Sequence, residues 1–242
     1  QPSIIINAAA YTNVDLAEDE EDKAFEVNAL GPKNLAEICF DNSLLLIHIS
    51  TDYVFDGKKN SPYEEEDKPE PLNIYGKSKL VGENNIRFAL DRYVIFRTSW
   101  VFSDTGKNFV GTILRLAGNS NSLKIVGDQL GSPTSAQSIS EAIIRICESY
   151  QSSGFRYGTY HFSSQESISW FEFAEVIADL AYKKGLINDL PNIIKIKSEE
   201  YPSKSIKPKY SSMSSYKIQK TFGITPNNWR LDLRNLISQL SD

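Results

Sequence analysis

Residues 43–49 (SLLLIHI) are apolar at nearly every position rather than at every second one. A strand with one face in water alternates apolar and polar residues, because successive side chains point to opposite faces. A run without alternation needs cover on both faces, which is the setting of a parallel strand between two helical layers. Residues 3–7 (SIIIN) and 93–97 (YVIFR) share this property. Between the first two runs, Ala24, Val27, Leu30, Leu35 and Ile38 recur at roughly helical spacing within residues 19–40. Gly31-Pro32 interrupts that stretch and predicts a kink or two abutting helices. A polar loop with Pro62, Pro69 and Pro71 then leads to a helix opening near Tyr75. The order strand, helix, strand, helix, strand predicts a doubly wound α/β domain.

Beyond residue 105 the pattern loosens. Residues 108–117 read as a helix, and residues 123–126 as a short strand before the Gly127-Asp128-Gln129 turn. A helix is predicted over residues 134–150, with Ile139, Ile143, Ile146 and Tyr150 on one face, and a strand over residues 159–162. Ser169 and Glu172 have the spacing of a capping box, opening a helix that stops before Gly185. The remaining tail has many prolines and few periodic runs, as expected of a small appended substrate-binding region. Residues 4–6 read as a strand from the middle of a sheet, arriving with no element before it, so the chain is expected to begin inside a fold.

Composition excludes several classes. The 242 residues carry 31 acidic against 26 basic side chains, a formal charge of -5, so there is no general attraction to nucleic acid. The densest basic stretch, residues 204–209, is short and broken by Pro208. Cys39 and Cys147 both sit in amphipathic helical patterns that suit a small buried hydrophobe, not a disulfide framework or a thiolate metal site. No stretch approaches about 18 continuous apolar residues and no leader pattern stands at the start, so a cytoplasmic protein with no membrane partner is expected.

The residues that carry chemistry begin with Tyr75-Gly76-Lys77-Ser78-Lys79. Tyrosine and lysine four apart share a helix face. A phenol of ordinary pKa about 10 exchanges its proton reluctantly at neutral pH unless its anion is stabilised, and a nearby ammonium or a helix N-terminus does this. Ketone reduction needs such a group, since a proton must reach oxygen as hydride reaches carbon. Alone, such a pair is far more often an ordinary exposed one. Ser50-Thr51-Asp52 follows the second strand, however, at the sheet edge where open α/β folds bind ligands. Thr51 there could donate a hydrogen bond to a carbonyl oxygen. Asn7-Ala8-Ala9-Ala10 follows the first strand, and its small side chains would let a flat cofactor approach.

Six blocks extend these observations: NAAAYTNVD at residues 7–15, STDYVFDG at 50–57, YGKSKLVGE at 75–83, RTSWVF at 97–102, GKNFV at 106–110 and DQLGSPT at 128–134. Together they make the chain resemble the extended short-chain dehydrogenase/reductase family, and within it the reductases of dTDP-linked 4-keto sugars, over essentially its whole length. The resemblance implies a Rossmann-like doubly wound parallel sheet lacking its first strands. Residues 1–105 and 132–163 would form a partial NAD(P)-binding domain, and 106–131 with 164–242 the substrate-binding region. It implies reduction of dTDP-4-dehydro-L-rhamnose to dTDP-L-rhamnose by NADPH or NADH. Tyr75 would be the proton donor, Lys79 would hold the nicotinamide ribose and lower the tyrosine pKa, and Thr51 would complete the catalytic set. Ala10, Tyr11 and Thr12, with Tyr75 and Lys79, match cofactor-binding positions. Thr51, Asp52, Tyr53 and Trp100 match positions near the dTDP-sugar substrate. No protein metal ligands are singled out; a bound Mg2+ and a homodimer are carried only as expectations.

The chain also departs from the family pattern. No G-x-G-x-x-G or G-x-x-G-x-x-G turn occurs in it, although the family cradles the cofactor pyrophosphate on such a turn. Lys207 stands where the family usually has Arg, keeping charge but losing the planar fork, and Ser214 where Asp is common. Two alternatives reuse the Tyr/Lys pair. A sugar-nucleotide dehydratase or epimerase is disfavoured because Tyr53, not a second carboxylate, follows Asp52. A non-catalytic subunit like the β subunit of methionine adenosyltransferase is disfavoured by Thr51, Trp100 and the 128–134 block.

Overall fold

The structure is a computed structural model and describes residues 2–119, 122–150 and 154–241. Strand β1 (Ile4–Asn7) leads through the short helix α1 (Val14–Ala17) to α2 (Glu21–Phe25) and α3 (Gly31–Asp41). The interruption expected at Gly31-Pro32 is a π-helical turn, Glu26–Leu30, with Pro32 in the first turn of α3, where its missing N–H costs nothing. Strand β2 (Leu45–Thr51) starts two residues later than the apolar run, because Ser43 makes a left-handed turn at φ 56°. Helix α4 (Ile74–Ala89) and strand β3 (Tyr93–Thr98) follow. The chain continues with β4 (Val101–Phe102), α5 (Phe109–Ala117), β5 (Ser122–Val126), β6 (Leu130–Gly131), β7 (Thr134–Ser135) and α6 (Ala136–Ser149). It ends with β8 (Gly158–His161), β9 (Ile168–Ser169), α7 (Trp170–Lys183), β10 (Asn192–Ile196), α8 (Tyr216–Phe222) and α9 (Trp229–Ser241).

The main sheet has the order β1-β2-β3-β8, all parallel. Its two faces are read directly from alternation. Leu45, Ile47, Val94 and Phe96 face α6 residues Ile139, Ile143 and Ile146. Leu46 and Ile95 face the other way, onto Ala36 and Cys39 of α3 and Ile86 of α4. Both faces are covered, which is why β2 has no polar alternation. Among the described strands β1 pairs only with β2, and Ile6 is 49% exposed, as expected of an apolar strand in a sheet that lacks its first strands.

A second core lies among α5, α7 and α9, where Phe102, Ile113, Phe173, Ile177, Trp229 and Leu233 pack together. The Ser169/Glu172 capping box forms: the Ser169 hydroxyl accepts from the Glu172 N–H, and the Glu172 carboxylate accepts from the Ser169 N–H. The expectation of an irregular tail fails at α9, a thirteen-residue helix whose Trp229, Leu233, Leu236 and Ile237 are buried. Neither cysteine has a disulfide partner; Cys39 is buried and Cys147 half-buried.

Candidate active site

Three strand ends and one helix build the site. β2 closes with Ser50-Thr51 and turns at once into a 3-10 turn, Asp52–Val54, in which the Thr51 hydroxyl accepts from the Tyr53 N–H at 3.2 Å. α4 starts against this turn. Its N-cap Asn73 accepts from the Gly76 N–H at 2.8 Å and donates through its amide to the Ile206 carbonyl at 2.8 Å. Gly76 is required there, because a Cβ would lie 2.1 Å from the Tyr53 carbonyl oxygen. The absence of one carbon thus lets the first turn of α4, which carries Tyr75, sit against the turn after Thr51, and both residues line one cleft. The Thr51 hydroxyl also donates to Asp52 Oδ1 at 3.0 Å.

The inward face of α4 is polar: Ser78, Lys79 and Glu83 are buried on it. Lys79 Nζ donates to the Ile49 carbonyl at 2.7 Å and lies 3.2 Å from His48 Nε2. Glu83 accepts from Ser50 Oγ (2.6 Å), from Arg97 through Nε (2.9 Å) and Nη2 (2.7 Å), and from Arg87 (2.7 Å). Burial alone would raise the Glu83 pKa, but the two guanidinium groups and the hydrogen bonds prevail and hold it at about 2.

Burial acts the other way on the Tyr/Lys pair. The Lys79 ammonium is pushed down to about 8 by desolvation, against the favourable charge of Glu83. The Tyr75 hydroxyl is pushed up to about 12 by desolvation, with the Asp52 charge adding and the Thr51 hydrogen bond opposing. The lowering of the tyrosine that the resemblance implies is therefore not the net effect of these surroundings. Asp52 is raised to about 6, chiefly by burial and against hydrogen bonds from Ser211 and Thr51. Its Oδ2 is buried with no hydrogen-bond partner among the described residues.

A cleft of about 540 Å³ gathers nearly all the residues singled out from the sequence. Ala10 and Thr12 line it after β1, Thr51, Asp52 and Tyr53 after β2, Trp100 after β3, and Tyr75 and Lys79 from α4. Tyr11 is placed apart from these: its N–H donates to Asn28 Oδ1 at 2.8 Å and its hydroxyl to Glu20 Oε2 at 2.9 Å. The Tyr53 and Tyr75 rings meet edge to face at 5.7 Å.

A second cavity of about 560 Å³ shares Tyr53 and Trp170 with the first, and adds Phe109, Lys124, Gln129, Lys207 and Lys209. Trp100, at φ 46°, stacks flat on Trp170 with ring centroids 3.4 Å apart and planes 5° apart. Gly131, from the 128–134 block, leaves the space for that indole; a Cβ there would come within 2.2 Å of it. Lys207 pairs with Asp15 at 3.2 Å, and Ser203 and Ser205 also donate to that carboxylate. Trp170, Lys124 and Lys209 were not legible as site residues, since each comes from an element whose local pattern reads only as packing or solvated surface.

For a metal the residues do not fit: among the described residues, no group of three or more His, Cys, Asp and Glu side chains could hold one. Nothing in the geometry supports the Mg2+ expectation. A nicotinamide cofactor fits better. The first cleft has a floor of small side chains at Ala8 and Ala10, the Lys79 nitrogen, and the hydroxyls of Thr51 and Tyr75. No helix of the described residues is long and apolar enough to cross a membrane.

A parallel, doubly wound sheet with a Tyr/Lys pair facing a cleft at its carboxyl edge defines a Rossmann-like nicotinamide-dependent oxidoreductase. Comparison with known proteins narrows the class. The family model described as the RmlD substrate binding domain matches residues 1–241. The chain is 41% identical to a dTDP-4-dehydrorhamnose reductase of Aggregatibacter actinomycetemcomitans, over 98% of this chain and 81% of that one. It is 40% identical to the spore coat polysaccharide biosynthesis protein SpsK of Bacillus subtilis, over 100% and 81%. Among solved structures, a dTDP-4-dehydrorhamnose reductase of Bacillus anthracis in complex with NADP superposes with TM-score 0.90 at 36% identity, covering 98% of this chain and 81% of that one. An ortholog from Clostridium acetobutylicum gives TM-score 0.91 at 35% identity, covering 100% and 82%. The chain belongs to the dTDP-4-dehydrorhamnose reductase family.

Proposed function

We propose that this chain reduces the 4-keto group of dTDP-4-dehydro-L-rhamnose to dTDP-L-rhamnose, with NADPH or NADH as the reductant and Tyr75 as proton donor. The observation that carries the reading is the convergence of Tyr75, Thr51 and Lys79, from two different elements, in one cleft at the carboxyl edge of the sheet. When bound, the nicotinamide supplies a hydride. The protein supplies the rest. Tyr75 is protonated throughout neutral pH but, raised to about 12 by burial, it is a weak acid. Transfer of its proton to a carbonyl oxygen therefore depends on the nearby Lys79 ammonium to stabilise the anion. Thr51, hydrogen-bonded to Asp52 and beside Tyr75 in the same cleft, fixes where that oxygen sits. Lys79, Ala10, Thr12 and the backbone around Tyr11 are the residues that would hold the cofactor.

The unpartnered Asp52 Oδ2 suits a sugar hydroxyl, and Tyr53 and Trp100 offer flat apolar faces to a sugar or base. Lys124 and Lys209 give the second cavity the positive charge that a diphosphate needs, beside Lys207, which is paired with Asp15. In this reading residues 1–105 and 132–163 carry the cofactor, and 106–131 with 164–242 the dTDP-sugar. A homodimer belongs to the same reading, because Phe88 of α4 is 96% exposed and Phe40 of α3 64%, a surface a second copy would cover. Sedimentation equilibrium tests it. The reaction is tested by following NADPH and NADH oxidation with dTDP-4-dehydro-L-rhamnose against a simple sugar ketone. Turnover of the nucleotide sugar alone is expected; equal rates with both ketones would overturn the assignment.

A further inference from the structure

Three segments far apart in the chain are tied to one another beside the cleft, by contacts that the reaction as described does not use. They are α1, the N-terminus of α4 that carries Tyr75, and a strap over residues 203–207. Glu18, the C-cap of α1, joins the first two: its Oε1 accepts from the Ile74 N–H at 2.9 Å. Asn73, the buried N-cap of α4, joins the second to the third by donating to the Ile206 carbonyl at 2.8 Å. Asp15 closes the triangle. Its Oδ1 accepts from the hydroxyls of Ser203 (2.7 Å) and Ser205 (2.5 Å), from the Ser205 N–H (3.2 Å) and from Lys207 Nζ (3.2 Å).

The strap is also a wall of the second cavity. Ser203, Ser205, Ile206 and Lys207 line it, while residues 1–105 contribute only Asp15 and Tyr53 among the described residues. Residues 203–207 belong to no helix or strand, and of their side chains Ser205 alone is buried. A segment without a ladder of its own is held by what its amides and side chains bond to. Here four of those bonds end on one oxygen atom. The neighbouring Lys204–Asp19 pair is exposed on both sides and contributes little. A carboxylate is the acceptor this set needs, because its charge strengthens each bond and answers the Lys207 ammonium, which an amide oxygen cannot do. Burial opposes ionisation of Asp15, but the Ser205 and Ser203 hydroxyls and the Lys207 charge prevail and hold it at about 2.

We propose that Asp15 is a positioning residue for the nucleotide sugar: its carboxylate holds the 203–207 strap in place as a wall of the second cavity, in fixed relation to the turn that carries Tyr75. Lys207 then serves the strap rather than an anion, since its charge is met by Asp15, and Lys124 and Lys209 are left for the diphosphate. Asp15 follows the loop whose Ala10 and Thr12 line the first cleft, so one short segment touches both cavities. The role toward substrate rests on the functional reading above, whereas the hold on the strap does not.

The test has a ligand-free arm and a binding arm, both on the whole chain, with Asp15→Asn as the variant that keeps shape and removes charge. Amide hydrogen exchange reads the strap. The Ser205 N–H is expected to exchange about tenfold faster in Asp15→Asn, while the amides of β2 and β3 keep their rates. Unchanged exchange at Ser205 overturns the proposal, and so does equal acceleration in β2 and β3, because Asp15 would then only stabilise the fold. Ser205→Ala, a milder change, is expected to loosen the strap in the same way, and the double variant to lose less than the sum of the two. Additive losses overturn the proposal. Calorimetric titration then reads dTDP and NADPH. Asp15→Asn is expected to weaken dTDP about tenfold and NADPH less than about twofold. Unchanged or tighter dTDP binding, or equal loss of both nucleotides, overturns the positioning role. A parent protein that binds no dTDP contradicts the functional reading instead, and the Ser205 exchange still decides whether Asp15 holds the strap.

Discussion

Tyr75 and Lys79 share a helix face, yet burial moves each toward its neutral form: the phenol rises to about 12, and the ammonium falls to about 8, where it is still mostly protonated at pH 7. Replacing Tyr75 by Phe keeps the ring against Tyr53 and removes the transferable proton. A kcat loss of about 10²–10⁴-fold is expected, with nucleotide affinity retained, measured by steady-state rates and calorimetric titration. Trp100 is held at a left-handed φ and stacked on Trp170, between the two cavities. Trp100→Ala should raise KM for the nucleotide sugar well above any change in KM for NADPH. Equal rises in both, together with a lower Tm, would assign the indole to packing instead.

At the scale of elements, α4 is positioned by what its glycines omit. A Cβ on Gly82 would lie 2.1 Å from the Asn28 carbonyl oxygen, in the π-helical turn that precedes α3. Asn28 in turn holds the Tyr11 backbone through both amide atoms and donates to Ser78 of α4. π turns often mark functional sites, and this one ties the loop after β1 to the helix bearing Tyr75. Gly82→Ala should destabilise by about 1–3 kcal/mol, as overpacking does. Gly111 in α5 is the control, since a Cβ there meets nothing within 4 Å. Gly111→Ala should stabilise by about 0.5–1 kcal/mol through helix propensity. Urea midpoints of the two variants should move in opposite directions; a shared direction would show that the backbone gives way at Gly82.

The whole molecule stores its pH dependence in the buried network around Arg97. His161 donates from Nδ1 to the Tyr63 carbonyl and presents Nε2 to Arg97 at 3.3 Å, and its pKa is pushed down to about 3 by burial and then by the Arg97 charge. A depressed folded pKa means that the unfolded chain takes up the proton first. The stability linked to His161 is complete above its ordinary 6.5 and is lost as pH falls toward 3. Glu83 has the same sign, complete above 4.5 and lost toward 2, a contribution on the order of 3 kcal/mol. Asp52, raised to about 6, has the opposite sign: the folded state gains as pH falls from 6 to 3.8. The expected outcome is a modest decline in stability below pH 6.5 and a steep one below 4.5, read from urea midpoints at stepped pH. A midpoint constant down to pH 4 would show that these groups are not buried as described.

Periodicity and short-range torsional preference belong to the chain itself, and they determined the parallel strands, the capping box at Ser169 and the shared face of Tyr75 and Lys79 before any fold was known. The six sequence blocks likewise placed Thr51, Asp52 and Trp100 at the ligand edge by resemblance, and these residues line one cleft. Local pattern missed α9 because Trp229, Leu233 and Ile237 acquire their meaning only against Phe173 and Ile177 of α7. It could not bring Trp170 beneath Trp100, seventy positions away in the chain, nor show that Tyr11 turns toward Glu20. The charge states are the clearest case. A tyrosine and a lysine four apart suggest mutual stabilisation when only the helix is considered. Tertiary structure decided otherwise, because desolvation depends on every segment packed around a group, and here His48, Glu83 and Asp52 come from outside that turn of helix.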